Sequence, residues 1–244
     1  MTPNKLTSKQ NNMNARRRIQ AARGTAKAIA AAQIATSGSL TMNVLPRRLM
    51  RTLRYAETFS LSTGTAGVIG TVVTILLNSL FDPNNSGTGH QPYGFDQLAS
   101  FYQQYVVHGV RFQLITNTIG GTAEVCVAYQ IFPTAGGVSI AGISTDAATE
   151  KSTVSTFTSG SSGNVRARSV RGAIQMHQVF GLTKAQYAAQ TDQYGAAVTT
   201  NPALGGYLEV GIGSYSGSAG ETLSVQIVLD FDAEFWQPKT LPQS

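Results

Sequence analysis

"TLSVQIVLDFDAEFW", residues 222–236, alternates apolar and polar side chains with a period of two. Along its second half Leu229, Phe231 and Phe235 fall on one side, and Asp230, Asp232 and Glu234 on the other. A helix would mix the two sets around its circumference. A strand with one face on a core and one in water keeps them apart. This stretch therefore sets the expectation of a β protein.

Working back along the chain, strand signals recur from about residue 52. "YAETFSLS" (55–62) alternates, with threonine, serine and aromatics that suit a pleated surface. "VIGTVVTILLNSLF" (68–81) is a continuous apolar run, as in a strand buried on both faces. "YVVHGVRFQLITN" (105–117) and "GTAEVCVAYQIFP" (121–133) follow, with "TIGG" between them as a hairpin signal. "STVSTFT" (152–158), "NVRARSVRGAIQMHQVFG" (164–181) and "GGYLEVGIGSY" (205–215) complete eight expected strands. Helical signals in this part are short: "DQLASFYQQY" (96–105), "ISTDAATEK" (143–151) and "TKAQYAAQ" (183–190). Eight strands with short helices in the connections exclude an alternating βαβ fold and point to an all-β sandwich. The connections are too long for a simple meander. The expectation is an eight-stranded antiparallel jelly roll in one domain, residues 51–244.

Charge separates residues 1–50 from that domain. Up to residue 54 the chain holds 11 of its 18 lysines and arginines and no aspartate or glutamate. The remainder holds 7 basic and all 12 acidic residues. Residues 1–14 are polar and are expected to be disordered, because they bury too little to offset ordering. "ARRRIQAARGTAKAIAAAQIAT" (15–36) is alanine-rich, with Arg16, Arg23 and Lys27 on one helical side. Arg17 and Arg18 add to its charge, and Arg47, Arg48, Arg51 and Arg54 stand where the arm meets the body. Such an isolated basic helix is marginal in water, and a polyanion would stabilise it. A solubilising tail and a mitochondrial transit peptide compete with nucleic-acid binding as readings. Binding requires only charge and reach, through phosphate neutralisation with counterion release. No aromatic precedes Tyr55, so base stacking is not the arm's mode.

Little else in the chain carries chemistry. A phosphate loop, an HExxH helix and a GxSxG elbow are all missing from the sequence. His90, His108 and His177 are scattered, the last two inside expected strands, which leaves a cupin-type metal cluster without its ligands. Cys126 has no cationic sequence neighbour to activate it and cannot form an internal disulfide. Asp230, Asp232 and Glu234 could hold a calcium ion if a neighbour completed the oxygen shell, but a solvated or subunit-facing strip is the preferred reading. With a single tryptophan, Trp236, a carbohydrate-binding jelly roll lacks an aromatic sugar platform. Neither a membrane span nor an export signal is expected, and no enzyme activity.

"LFDPNNSGTGHQPYGFDQ" (80–97) looks at first like a catalytic loop, with Asp82, His90 and Asp96 among glycines and prolines. Each of its residues has an architectural task available. Asp82-Pro83 and the Asn-Asn-Ser-Gly after it form turns, Pro92 holds Gln91 extended, and Gly94 permits a tight bend. Asp96 suits the opening of a short helix.

The longer segment around this loop, residues 78–112, resembles capsid proteins of circovirus-like (CRESS-type) circular single-stranded DNA viruses. The resembling residues are Asn78, Asp82-Pro83, Gln91-Pro92, Gly94-Phe95-Asp96-Gln97, Tyr102, Tyr105, Val107 and Gly109. The resemblance implies a self-assembling icosahedral shell of sixty subunits around a single-stranded genome, with the arms inside. It implies the virion as location, an assembly stage in the host nucleus with Arg16–Arg18 as a nuclear address, and a host receptor of unknown kind. Asp82, Pro83, His90, Gln91, Pro92, Phe95 and Asp96 are then expected at a contact between subunits. Sixty copies of 11 basic residues would bring about 660 charges inward, part of what a genome on the order of a few thousand phosphates requires. The arm is sparser in arginine than circovirus arms usually are, and small positive-strand RNA viruses also build jelly-roll coats. A coat for an RNA genome is therefore the alternative.

Overall fold

A computed structural model describes residues 45–65, 68–87, 89–118, 124–133, 153–158, 168–214 and 220–240. The compact body begins at Leu45. Its strands are β1 (Arg48–Ser62), β2 (Val72–Leu76), β3 (Tyr102–Thr118), β4 (Glu124–Phe132), β5 (Thr153–Thr158), β6 (Arg168–Gln175), β7 (Gly195–Ala197), β8 (Tyr207–Ser214) and β9 (Thr222–Pro238). Among the described residues four short helices lie between them: α1 (Phe95–Phe101), α2 (Met176–Val179), α3 (Lys184–Ala189) and α4 (Thr191–Tyr194). No described helix is long and apolar enough to cross a membrane.

The strands form two antiparallel sheets, ordered β1-β9-β3-β6 and β2-β8-β4-β5, with β7 beside β3. The pairs are nested: β1 with β9, β2 with β8, β3 with β6, β4 with β5. Such nesting is what a long antiparallel ribbon produces when it rolls up so that its halves alternate between two sheets. The fold is a jelly roll. Eight strands carry it, and β7 extends the β3 edge beyond the end of β6.

The inner faces supply the core. In β9, Leu223, Val225, Ile227, Leu229, Phe231, Ala233 and Phe235 are all buried. They meet Leu53, Tyr55 and Leu61 of β1, Tyr105, Val110, Phe112 and Leu114 of β3, and Val125, Val127, Leu208, Val210 and Ile212 of the other sheet.

Four local expectations change. β3 and β4 do not form a hairpin, because β4 joins the opposite sheet between β8 and β5. The helix expected to reach Tyr105 ends at Phe101, where Tyr102 turns extended (φ −121°, ψ 158°). Both Tyr102 and Tyr105 are buried, and a helix continuing through Tyr105 would carry them away from their partner Phe235. In the run 68–81 only Val72–Leu76 is a strand, although Ile69, Leu77 and Leu80 are also buried. Continuous apolarity there marks burial rather than pairing. His177 lies on α2 and not on a strand. The helix expected at 143–151 lies outside the described residues.

Candidate functional site

The loop between β2 and α1 seals two open sheet edges. Its first part runs beside β2: Leu76 N–H donates to Pro83 O at 2.7 Å, and Asn85 N–H to Thr74 O at 3.2 Å. Its second part runs beside β1: Tyr93 N–H donates to Arg54 O at 2.9 Å, and His90 Nε2 lies 3.0 Å from Ala56 O. Edge strands present unpaired backbone groups that invite aggregation, and covering them removes part of that hazard. The contacts run largely through the loop's backbone.

Asn78, the first residue of the resembling segment, pins the far side. Its Oδ1 accepts from Gly206 N at 2.9 Å, and its Nδ2 donates to Leu204 O at 2.8 Å and Tyr194 O at 3.3 Å. The Tyr105 hydroxyl, fully buried, bonds Thr200 O at 3.1 Å and accepts from Leu80 N at 3.3 Å. These two side chains tie the segment after β2 to the one between β7 and β8.

Under the loop sits a polar knot. Tyr55 and Asn84 both donate to the Glu57 carboxylate. Burial, then the bond to Glu57, pushes the Tyr55 phenol far above its ordinary range. Burial and the neighbouring Glu57 push the Asp82 carboxyl up. Over Tyr55 lies the His90 ring, at 4.7 Å between centroids. His90 Nδ1 stands 2.9 Å from Gln91 O and Nε2 3.0 Å from Ala56 O. A neutral imidazole can donate only one of those bonds, whereas the imidazolium donates both. The two carbonyls, Gln91 first, accordingly raise its pKa against the opposing effect of burial.

The seven residues expected at a subunit contact are therefore not equivalent. Phe95 is 1% exposed within its own chain, set against Tyr105 (5.5 Å, edge-on) and Phe235 (6.2 Å). Pro83 and Pro92 are buried as well, and Asp82 and Gln91 are half-buried. Only His90 and Asp96 are exposed. Gly94, at φ 86°, caps α1, and Asp96 occupies the first turn without a capping bond. Sequence reasoning missed Tyr93, which is 90% exposed between Pro92 and Gly94. Its composition signal was present, an aromatic held between two turn formers, but aromatics in such loops are usually assigned to the core.

The outer face of the β1-β9-β3-β6 sheet carries a charge ladder. Asp230, Asp232 and Glu234 do share the water-side face of β9, as the alternation implied. Each already has basic partners. Arg54 holds Asp230 with two bonds (2.7 and 3.1 Å), Arg111 holds Asp232 (2.9 and 3.3 Å), and Glu234 is met by Arg48 (2.7 Å) and His108 (2.8 Å). A β-bulge between Val107 and Gly109 makes His108 the extra residue that reaches Glu234. Among the described residues no three His, Cys, Asp or Glu side chains cluster as metal ligands. Of the nine arginines and lysines expected to touch nucleic acid, Arg48 and Arg54 are engaged in these ion pairs, while Arg47 and Arg51 are exposed. Arg16, Arg17, Arg18, Arg23 and Lys27 lie outside the described residues. β1 starts at Arg48 and the compact body at Leu45, and 7 basic and no acidic residues precede that body.

No family model matches the chain, and no curated protein matches it. Among solved structures, the nodavirus of the prawn Macrobrachium rosenbergii, as a semi-empty virus-like particle, aligns at 12% identity. That alignment spans 85% of this chain and 92% of the other, with a TM-score of 0.46. The BFDV capsid protein, crystallised as a decamer, aligns at 10% identity over 78% of this chain and 100% of its own, TM-score 0.36. Tobacco necrosis virus aligns at 13% over 78% and 98%, TM-score 0.38.

Proposed function

We propose that this chain is the coat protein of a small icosahedral virus, a non-enzymatic subunit whose work is assembly. The observation that carries the reading is the joining of an eight-stranded jelly roll to a leading segment with seven basic and no acidic residues. Ends and edges of such a sandwich can meet neighbours around symmetry axes, and many weak symmetric contacts sum to a closed shell. The basic segment faces inward and condenses a single-stranded genome, DNA by the resemblance of residues 78–112. Sixty copies of seven charges amount to roughly 400, so most genome phosphates keep their counterions. That sparseness favours an RNA genome as the second reading. Tyr93 and His90 of the sealing loop and Asp96 in the first turn of α1 are exposed and free to touch a neighbouring subunit.

The purified full chain is expected to elute near the void volume of a sizing column, with elevated absorbance at 260 nm. Shells should be visible by negative stain, and the nucleic acid is identified by its loss to DNase or to RNase after opening. Removal of residues 1–44 should leave the body folded and abolish the 260 nm excess. A small oligomer free of nucleic acid from the full chain would refute the coat reading. Undiminished nucleic acid in the truncation would refute the arm's role.

A further inference from the structure

The water-side face of the first sheet holds a shallow groove of about 610 Å3. Strand register builds it. Arg54, Asp230, Arg111 and Ala173 form one row across β1, β9, β3 and β6, and Ala56, Val228, Gln113 and Arg171 form the next. With strands about 4.8 Å apart, the Cα atoms of the three arginines lie within roughly 16 Å of one another. Asp230 stands between Arg54 and Arg111, and towards Arg171 the floor is uncharged, made by Val228, Ala173, Ile115 and Gln113.

The charge here is not used up by the ion pairs. Arg54 and Arg111 each spend two donors on a carboxylate, which leaves three of the five N–H groups that a guanidinium carries. Arg171 is exposed and forms no ion pair among the described residues. Three arginines against Asp230 and Asp232 leave the site cationic.

We propose that this groove seats a nucleotide of a single-stranded nucleic acid, its phosphate on Arg111 and Arg171 and its base flat on the aliphatic floor. Guanidinium planes both hydrogen-bond phosphate and stack on bases. An acidic peptide would satisfy the charge but has no planar face for the floor. Among the described lining residues Gln113 supplies the one amide, so few groups can read a base and binding is largely independent of sequence. Arg48, Arg51 and Arg54 extend the positive charge along β1, Arg48 and Arg54 being six residues or about 20 Å apart. The coat reading supplies the genome as the occupant and the inner side of the shell as the groove's location. Binding of a single strand by the groove does not depend on shell formation.

The test is fluorescence anisotropy of a labelled oligothymidylate on the full-length chain, as a function of salt. R171A is expected to weaken binding several-fold and to reduce the slope of log affinity against log salt by about 0.7, the value for one phosphate contact on a single strand. R171K should keep most of the slope, R171E should lose more than R171A, and K184A, an exposed lysine on α3, should match wild type. Ultraviolet crosslinks to thymine are expected within residues 168–175. A wild-type slope in R171A, or displacement of the oligonucleotide by polyglutamate as effectively as by unlabelled oligonucleotide, would overturn the proposal. Sizing the same preparations separates the two ideas. Shells with an unchanged slope sink the groove alone, and a changed slope without shells sinks the coat reading alone.

Discussion

The two sheets share one core but treat their outer faces differently. In the first, β9 alternates half-buried and buried residues along most of its length, and its outward side carries carboxylates that meet basic side chains in water. In the second, every residue of β8 from Tyr207 to Ser214 is buried, Glu209 among them. Around Gly211 the outer face lies under a covering segment. Ile69, 7% exposed, packs with Val72 on Cys126 and Ala128 of β4, and a Cβ added at Gly211 would stand 2.6 Å from Ile69 Cγ2. Beneath such a cover a polar group requires an internal partner, and Gln130 Nε2 donates to Glu209 Oε2 at 2.7 Å. An outer face open to water can hold ligand chemistry. A covered one is committed to packing.

The same substitution on each face tests this difference most severely. Ala128→Asp places a carboxylate among Ile69, Cys126 and Gly211, where no basic group is packed among the described residues. It should destabilise the body by at least about 3–5 kcal/mol, the range for an uncompensated buried charge. Ala173→Asp, on the exposed side of β6, should change stability by no more than about 0.5 kcal/mol. Thermal melts of the two variants should differ widely. Similar melting temperatures would mean that the second sheet's cover is not closed.

A milder probe tightens the fit without adding charge. Gly211→Val drives a side chain into Ile69, whose methyl tip can give but whose segment cannot leave without exposing Cys126 and Ala128. The expected cost is about 1–3 kcal/mol, as for overpacked cores. Hydrogen exchange should quicken in residues 68–72 before the rest of the body. Uniform exchange would place the weakness elsewhere.

This contrast also marks what the sequence could convey. β9 is legible because one face meets water and the other the core, so its side chains must alternate. β8 reads as glycine-rich and mixed, since both of its faces are covered and Gly211 is small to admit Ile69. The run 68–81 conveyed burial correctly at Ile69 and from Ile75 to Leu80 but not at Val68. It conveyed pairing wrongly, because a covering segment and a central strand place the same demand for apolar residues. The sealing loop was legible as turns, from Pro83, Pro92 and Gly94. Its edge-covering role was not, since most of those bonds are made by backbone, which any residue supplies. The ladder was half legible: the carboxylates on one face of β9 could be read, but Arg54 and Arg111 come from strands more than a hundred residues away.

The smallest expected effects are in pH, and they separate the open sheet from the loop that seals it. Asp230 titrates below its ordinary 3.8, chiefly through the Arg54 hydrogen bond. Glu234 is raised most by burial, yet the bonds from His108 and Arg48 together bring it below 4.5. Depressed carboxylates contribute stability above their unfolded pKa and lose it as pH falls through the folded one. The open sheet should therefore weaken on acidification below about pH 4.5. His90 runs the other way. Its pKa is raised above 6.5, so its contribution is full below that value and is lost as pH climbs through the folded pKa. Both effects should stay under about 1 kcal/mol, because Arg48 and Arg54, which hold the carboxylates, are about 70% exposed and His90 is exposed too, so water screens these contacts. Melting temperature against pH should show a shallow fall above pH 6.5 that His90→Gln removes, while the decline below pH 4.5 persists. If His90→Gln left the neutral fall in place, the imidazole would not be clamping the loop to β1, and backbone bonds alone would hold that edge.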